Sequence, residues 1–475
     1  MTPRLTPLAL AVLAAAVLAG CALGPDYRRP EAALPAAYPA DAAAVPAAGQ
    51  PQAVAPDWWK LFGDPQLDAL VDTALARNTD LQQAVARVEQ AEALEQQARA
   101  AQWPSVDLGA NATRSRSSAT TGQPGGGGTG NDFRAALSTA FELDFWGKLR
   151  RASEAARAEA LATRYAGEVV RQTVAGLVAQ SYFSLRALDQ QVVLTRETLK
   201  TREEGVRILG IRLKGGASGR LDLDQAEALR ADAALQLREL ERQRALAQSQ
   251  LGLLTAQAGL AVADAPLQAA PLPPVPPAGL PSELLARRPD VRQAEQLLVS
   301  ANARIGVAKA AMFPSLSLTG LAGGESAELS DVFKSGSRIW SLGFGLSLPI
   351  FDAGRRSAQT TQAEARQREA VAAYQGAVQS AFKDVADALV NLRAARESQA
   401  DAEASERATL NALKVAQQRY DAGYSAYLEL LDAQRSANAT RLQTVANRQA
   451  QLSATVQLFK ALGGGWTDPA ATEAR

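Results

Sequence analysis

There is no histidine in this chain of 475 residues. Its absence removes both the usual neutral-pH general base and the commonest nitrogen ligand for zinc or copper, which argues against a Ser-His-Asp machine or an imidazole-built metal site. Cysteine occurs once, at Cys21, so no intrachain disulfide can form. Methionine occurs twice, at Met1 and Met312, too sparsely for a thioether relay. Aromatics are 5% of the chain, and 50 basic residues offset 49 acidic ones, leaving neither a nucleic-acid footprint nor an acidic tail. No nucleic-acid partner and no cofactor are expected. Long apolar runs are also missing: Leu8 to Ala19 is too short to span a bilayer as a helix.

That short run, preceded by Arg4, suits the core of a secretory signal over residues 1–20. It ends in Leu18-Ala19-Gly20-Cys21, small residues ahead of a lone cysteine, which is similar to a bacterial lipoprotein signal. On that likeness the Cys21 thiol carries covalent lipid, and Ala22 after it directs the protein to the outer membrane. The competing reading is an ordinary signal with a chance cysteine. Residues 21–56 are rich in Ala and Pro and read as an acylated, extended tether.

The body repeats itself. Leu75-Ala76-Arg77-Asn78-Thr79-Asp80 matches Leu285-Ala286-Arg287-Arg288-Pro289-Asp290, and Trp103-Pro104-Ser105-Val106 matches Phe313-Pro314-Ser315-Leu316. Phe145-Trp146 with Arg150-Arg151 parallels Ile350-Phe351 with Arg355-Arg356, and the stretch from Arg212 to Leu223 parallels that from Arg419 to Leu430. Four landmarks in the same order indicate a duplication. The first repeat covers 57–265 and the second 282–465. A Pro-rich connector at 266–281 joins them, and 466–475 is a tail.

Each repeat holds a long helix pair, 147–260 and 352–462. In the first, Val170, Val174, Leu177, Leu185, Leu188, Val192, Leu199, Val206, Leu209 and Leu213 define one apolar stripe. In the second, Val378, Phe382, Val385, Leu389 and Leu392 step by four and three, so both pairs read as coiled-coil helices. A helix over 147–212 would be roughly 100 Å long. An elongated helical bundle without a channel satisfies this pattern too.

Four other segments alternate with a period of two, at about 104–118, 132–146, 314–325 and 338–351. In the second, Phe133, Ala135, Leu137, Thr139, Phe141, Leu143 and Phe145 oppose Asp132, Arg134, Ser138, Glu142 and Asp144. In the fourth, Trp340, Leu342, Phe344, Leu346, Leu348 and Ile350 oppose Ser341, Gly343, Gly345 and Ser347. Val106, Leu108, Ala110 and Ala112, and Leu316, Leu318 and Ala322, mark the other two. Each is about the length of a membrane-spanning strand, ~9–11 residues. Trp103, Trp146, Phe313 and Phe351 sit at the helix-facing ends, where a membrane interface places aromatics. The hairpin tips 117–131 and 323–337 are small and polar. A soluble sheet covered by helices would also have one apolar face. Four strands cannot close in a bilayer, so several copies are needed, and three copies give twelve strands with a radius on the order of 12 Å.

The chain resembles the TolC-type outer-membrane factor family in its lipoprotein (OprM-like, NodT-type) branch. The marks are Asp57-Trp58-Trp59 with Phe62, Asp64-Pro65 and Leu67, then Leu285 to Val291 followed by Ala294-Glu295. Ile305-Gly306, Phe313-Pro314, and Arg419-Tyr420-Asp421-Ala422-Gly423 leading to Leu428, Leu431 and Asp432-Ala433-Gln434 complete them. The resemblance implies a mixed α+β membrane protein with an internal duplication. In it, a homotrimer forms a 12-stranded outer-membrane β-barrel continued by a long periplasmic α-helical barrel of coiled-coil helices. It implies docking to a periplasmic membrane-fusion adaptor and an inner-membrane pump of the resistance-nodulation-division class. The expected role is passive export of drugs or other small molecules, without catalysis. Metal-cation efflux, type I protein secretion and a structural envelope lipoprotein are the alternatives.

Gly216 and Gly423 mark helix reversals, the periplasmic tips. After the second, the resemblance puts Leu428 and Asp432 on the pore side, with Glu429 as a second acidic position. Three Leu428 side chains are expected to plug the pore, and three Asp432 carboxylates to form a ring that attracts cations. Tyr420, Arg419 and Asp421 are expected to latch neighbouring helices. The arginine that some relatives carry two places after the turn glycine is missing, with Ser425 and, in the first repeat, Ser218 in its place.

Overall fold

The computed structural model describes residues 22–31, 35, 38, 54–118, 120, 128–263, 267, 270–274 and 288–466. Cys21 and the signal before it, most of the tether, most of the Pro-rich connector and the tail at 467–475 lie outside the described residues.

Helix starts follow from local chemistry. Asp64 caps α1 (Pro65–Arg77), its carboxylate accepting from the backbone N–H groups of Gln66 and Leu67 at 3.0 and 3.3 Å, while Pro65 supplies a ready-made first turn. Asn78 does the same for α2 (Thr79–Ala100), accepting from Asp80 and Leu81. After α2 come β1 (Ser105–Arg116) and β2 (Thr129–Leu143), then α3 (Lys148–Lys214) and α4 (Arg220–Leu254). The second repeat runs α5 (Pro289–Ala310), β3 (Ser315–Ser326), β4 (Arg338–Ser347), α6 (Arg355–Asp421) and α7 (Tyr427–Ala461). Asp144 caps α3 through the N–H groups of Leu149 and Arg150, and Asp352 caps α6 through those of Gly354 and Arg356. The long helices of the two repeats match in length: α3 and α6 each have 67 residues, α4 and α7 each 35. None of the helices among the described residues is long and apolar enough to cross a membrane.

Two compact units share these elements. The strand unit comprises Arg87–Thr163, Gln293–Tyr374 and the described part of Met1–Glu31. Its sheet is fully antiparallel in the order β1-β2-β3-β4. β2 starts at Thr129, earlier than the alternation predicts, because Arg116 of β1 partners it. β2 and β4 also stop earlier, at Leu143 and Ser347, where their partners on β3 run out and, in β4, where Pro349 lacks an N–H.

The first residues after Cys21 are docked, unlike the extended tether expected there. The N–H of Leu23 donates to the Trp146 carbonyl at 3.1 Å, and Asn302 Nδ2 donates to the Pro25 carbonyl at 2.7 Å. Arg29 grips Glu295 with two bonds of 2.7 and 2.8 Å, and the Tyr27 hydroxyl donates to the same carboxylate. The hydrogen-bonded Glu295 carboxylate holds the Arg29 guanidinium above its ordinary pKa, while burial, with that carboxylate's help, pushes the Tyr27 phenol up. The close approach requires Gly306, where an added Cβ would fall 2.5 Å from the Leu23 carbonyl oxygen.

The helical unit comprises Arg164–Arg292 and Gln375–Arg475 in their described parts, with Ala32–Ala86 likewise. Its core gathers an aromatic cluster: Trp58 stacks on Phe459 at 5.5 Å, and Phe62 meets Phe183 at 5.0 Å. Leu67, Val71, Val178, Leu185, Leu251, Leu452 and Val456 surround it. Val174, Leu185, Val192 and Leu209 of the first predicted stripe are buried, as are Val378, Val385, Leu389 and Leu392 of the second. Leu177 is not, at 43% exposed, because the helical repeat of ~3.6 residues carries the buried face round to Val178 and Tyr182.

Phe62 has no solvent exposure, so Phe62→Ala is expected to cost about 3–5 kcal/mol, read as a lowered thermal midpoint of the helical circular dichroism signal. Leu61→Ala, at a residue 45% exposed, should change stability by no more than about 0.5 kcal/mol. Equal midpoints for the two variants would contradict this core assignment.

Candidate functional site: the strand sheet and the helix turns

The strand register brings the four alternating patterns onto one face. Val106 partners Thr139, Leu108 partners Leu137, and Ala112 partners Phe133. Leu137 continues to Ala322 and Phe141 to Leu318 on β3, which continue to Trp340 and Phe344 on β4. This face has no protein over it for most of its area: Leu108 is 75% exposed, Leu342 73% and Trp340 81%. A soluble sheet covered by helices is therefore not what forms. The opposite face carries Asp107, Ser138 and Ser341 in one row and Glu142, Ser317 and Gly345 in another. Added Cβ atoms on Gly343 and Gly345 would lie 2.8 Å from the hydroxyls of Thr319 and Ser317, so small residues keep that face low. Across β2 and β3, Arg134 and Glu325 approach to 3.8 Å on it. Among the described residues β1 and β4 each have one neighbouring strand, leaving two open edges.

The four predicted interface aromatics divide into two kinds. Trp103 and Phe351 project freely, whereas Trp146 packs on Phe313 at 4.8 Å and donates its indole N–H to the Pro314 carbonyl at 2.8 Å. At the hairpin end the loop after β3 is less polar than expected, with Leu329 and Phe333 exposed. Val332 folds back instead, its carbonyl lying over Gly324, where a Cβ would sit only 1.9 Å away.

The helix reversals are built alike. At the first, Ala217 N–H bonds the Arg212 carbonyl at 2.8 Å and Gly216 N–H the Leu213 carbonyl at 3.0 Å; at the second, Tyr424 bonds Arg419 and Gly423 bonds Tyr420 with the same lengths. Both are Schellman closures whose left-handed residue is glycine, φ +72° at Gly216 and +78° at Gly423. Their side-chain ties differ. Ser218 donates to Asp222 at 2.9 Å within the first turn. In the second, Glu429, at the position equivalent to Asp222, instead pairs with Arg419 at 3.2 Å, and the Ser425 hydroxyl is buried without a partner.

Tyr420 accepts a hydrogen bond from Arg212 at 2.8 Å, with the guanidinium 5.3 Å from its ring centre, so the end of α3 is tied to the end of α6. Its ring also meets Tyr427 at 5.5 Å, and burial pushes the Tyr427 phenol up. Tyr420 and Arg419 therefore do reach other helices. The Asp421 carboxylate accepts from Gln417 on its own helix at 2.9 Å. Asp432 is paired with Arg435 at 2.9 Å, so within one chain its charge is offset by a neighbour one turn on. Leu428 is 61% exposed, as is its equivalent Leu221 at 68%. Arg212 and Tyr427 were not singled out from sequence. The match of Arg212 with Arg419 carried the signal for the first. Among the described residues no cluster of three metal-ligating side chains occurs.

Known proteins share this organisation. The profile of the outer membrane efflux protein family matches residues 70–257 and 280–464. The solvent efflux pump outer membrane protein SrpC of Pseudomonas putida is 37% identical over 464 residues, covering 96% of this chain and 98% of its own length. The cation efflux system protein CusC of Escherichia coli is 36% identical over 477 residues, covering 98% of this chain and all of its own. The crystal structure of the open state of the Neisseria gonorrhoeae MtrE outer membrane channel is similar with a TM-score of 0.82 and 32% identity, over 94% of this chain and 98% of that one.

Gly423→Ala places a Cβ in the left-handed region and is expected to cost about 1–2 kcal/mol, seen as faster hydrogen exchange at the Tyr424 amide. Gly376→Ala, inside α6 with open space around it, should stabilise by about 0.5–1 kcal/mol. The same response at both positions would remove the left-handed requirement from the turn.

Proposed function

This chain belongs to the outer membrane efflux protein family, and from that membership and its own surfaces we propose that three copies assemble into a passive export duct. The observation that carries the proposal is the sheet with one bare apolar face and two open edges. In hydrocarbon every edge N–H and C=O needs a partner, and pairing β1 of one copy with β4 of the next supplies it without adding strands of another kind. Twelve strands leave a lumen with a backbone radius on the order of 12 Å, lined by the Ser and Gly face.

The long helices belong in the periplasm, and their turns are the end that meets a membrane-fusion adaptor and an inner-membrane pump, of the resistance-nodulation-division class. Leu428 forms the constriction, Asp432 and Glu429 supply negative charge around it, and the Arg212–Tyr420 and Arg419–Glu429 ties hold the closed arrangement. Covalent lipid on Cys21 adds a second hold on the membrane, supported by Ala22, which lies against Gly147 directly after Trp146 at the strand base. The cargo is small amphiphilic molecules, organic solvents and drugs among them, chosen by the pump and not by this subunit. No step of the proposal calls for catalysis.

The purified protein in a planar bilayer should conduct, with trivalent or divalent cations blocking from the helical side, and Asp432→Ala should weaken the block severalfold. Deleting the gene should sensitise cells to solvents and amphiphilic antibiotics. Unchanged block in the variant would remove Asp432 from the pore, and sensitisation to copper or silver alone would reassign the cargo to metal cations.

A further inference from the structure

The register assigns a face to every charged residue of the sheet. The acids Asp107, Asp132, Glu142 and Glu325 all fall on the face of Ser138 and Ser341, together with Arg134, which pairs with Glu325. The remaining arginines fall on the other face. Arg114 and Arg116 continue the row of Val106, Leu108, Ala110 and Ala112, and Arg338 continues that of Trp340, Leu342 and Phe344. All three lie at the hairpin ends of their strands, where the apolar band stops and the strand partners are Asn131, Thr129 and Gly324. They are exposed, and among the described residues none has an acidic or hydrogen-bonding partner. Unpaired guanidinium groups on the lipid side of a strand, next to an exposed Trp340, have an apolar stem over hydrocarbon and a charge at headgroup depth.

β1 and β4 are the two edges of the sheet. Within one chain they stand three strand spacings apart, about 14 Å, but in a barrel closed by copies the β1 edge of one neighbours the β4 edge of the next at about 5 Å. We propose that Arg114 and Arg116 of one copy and Arg338 of the next form, at each copy boundary, a binding site for the phosphates of an outer-leaflet glycolipid. Guanidinium is the group suited to bidentate phosphate contact, the apolar band below takes the acyl chains, and no carboxylate on this face competes. The hairpin side is the outer leaflet because the helices lie on the periplasmic side. The proposal rests on the closure of β1 against β4 given above.

The test uses the full-length protein, purified in neutral detergent and stripped of lipid. It is incubated with a glucosamine-disaccharide lipid carrying two phosphates, with the same lipid freed of phosphate, or with inorganic phosphate, and bound species are counted by native mass spectrometry. The expected result is a trimer retaining three phosphorylated lipids, with affinity about fivefold lower for Arg338→Gln and lower again for the double variant Arg114→Gln, Arg116→Gln. Arg134→Gln, on the lumen face, should bind as the wild type does. Equal retention of the dephosphorylated lipid, equal occupancy by inorganic phosphate, or an equal loss in Arg134→Gln would overturn the site while leaving the trimer intact. A monomer in the spectrum would overturn the closure as well.

Discussion

Unpaired backbone at the two edges of a four-stranded sheet is the constraint on which the rest depends. A lone sheet of this kind in water would leave Leu108, Trp340, Leu342 and Phe344 exposed, and in hydrocarbon it would leave two rows of N–H and C=O groups without partners. Each environment rejects what the other tolerates. Only closure with further copies satisfies both, which makes the assembly a consequence of the strand count. The small, polar opposite face then lines water.

The duplication divides the work between two kinds of surface. Equal helix lengths and identical Schellman turns at Gly216 and Gly423 mean the two repeats end at matching places, as a barrel of staves requires. The side chains at those ends are not duplicated. Where the first repeat closes its turn on itself through Ser218 and Asp222, the second sends Glu429 to Arg419 and Tyr420 to Arg212, leaving the Ser425 hydroxyl buried and unpartnered. A buried polar group without a partner costs stability, so the second turn holds its shape less economically than the first. The two turns thus share one backbone closure but differ in the side chains that brace it.

Charge on the sheet follows the same division of surfaces. A period of two means that a single residue's shift in pairing would exchange the faces, moving Asp107 and Glu325 into lipid and Leu108 into water. The register is therefore held by solvation on both sides, and the arginines at the hairpin rim belong to the lipid side by the same alternation that places the leucines there.

The sequence alone determined what periodicity and repetition can encode: the four strands, their apolar face, the helix pairs, both turn glycines and the family. Those are local properties, set by residues within a few positions of one another or by a match between halves. Tertiary structure decided what depends on distant partners. Where β2 and β4 stop depends on where β3 ends; the docking of residues 22–31 depends on Glu295 and Gly306, far along the chain; and the pinning of Trp146 depends on Phe313 and Pro314. The reach of Tyr420 to Arg212 likewise depends on which helix ends meet. No spacing in the chain carries that information, because it arises only when the two repeats pack together.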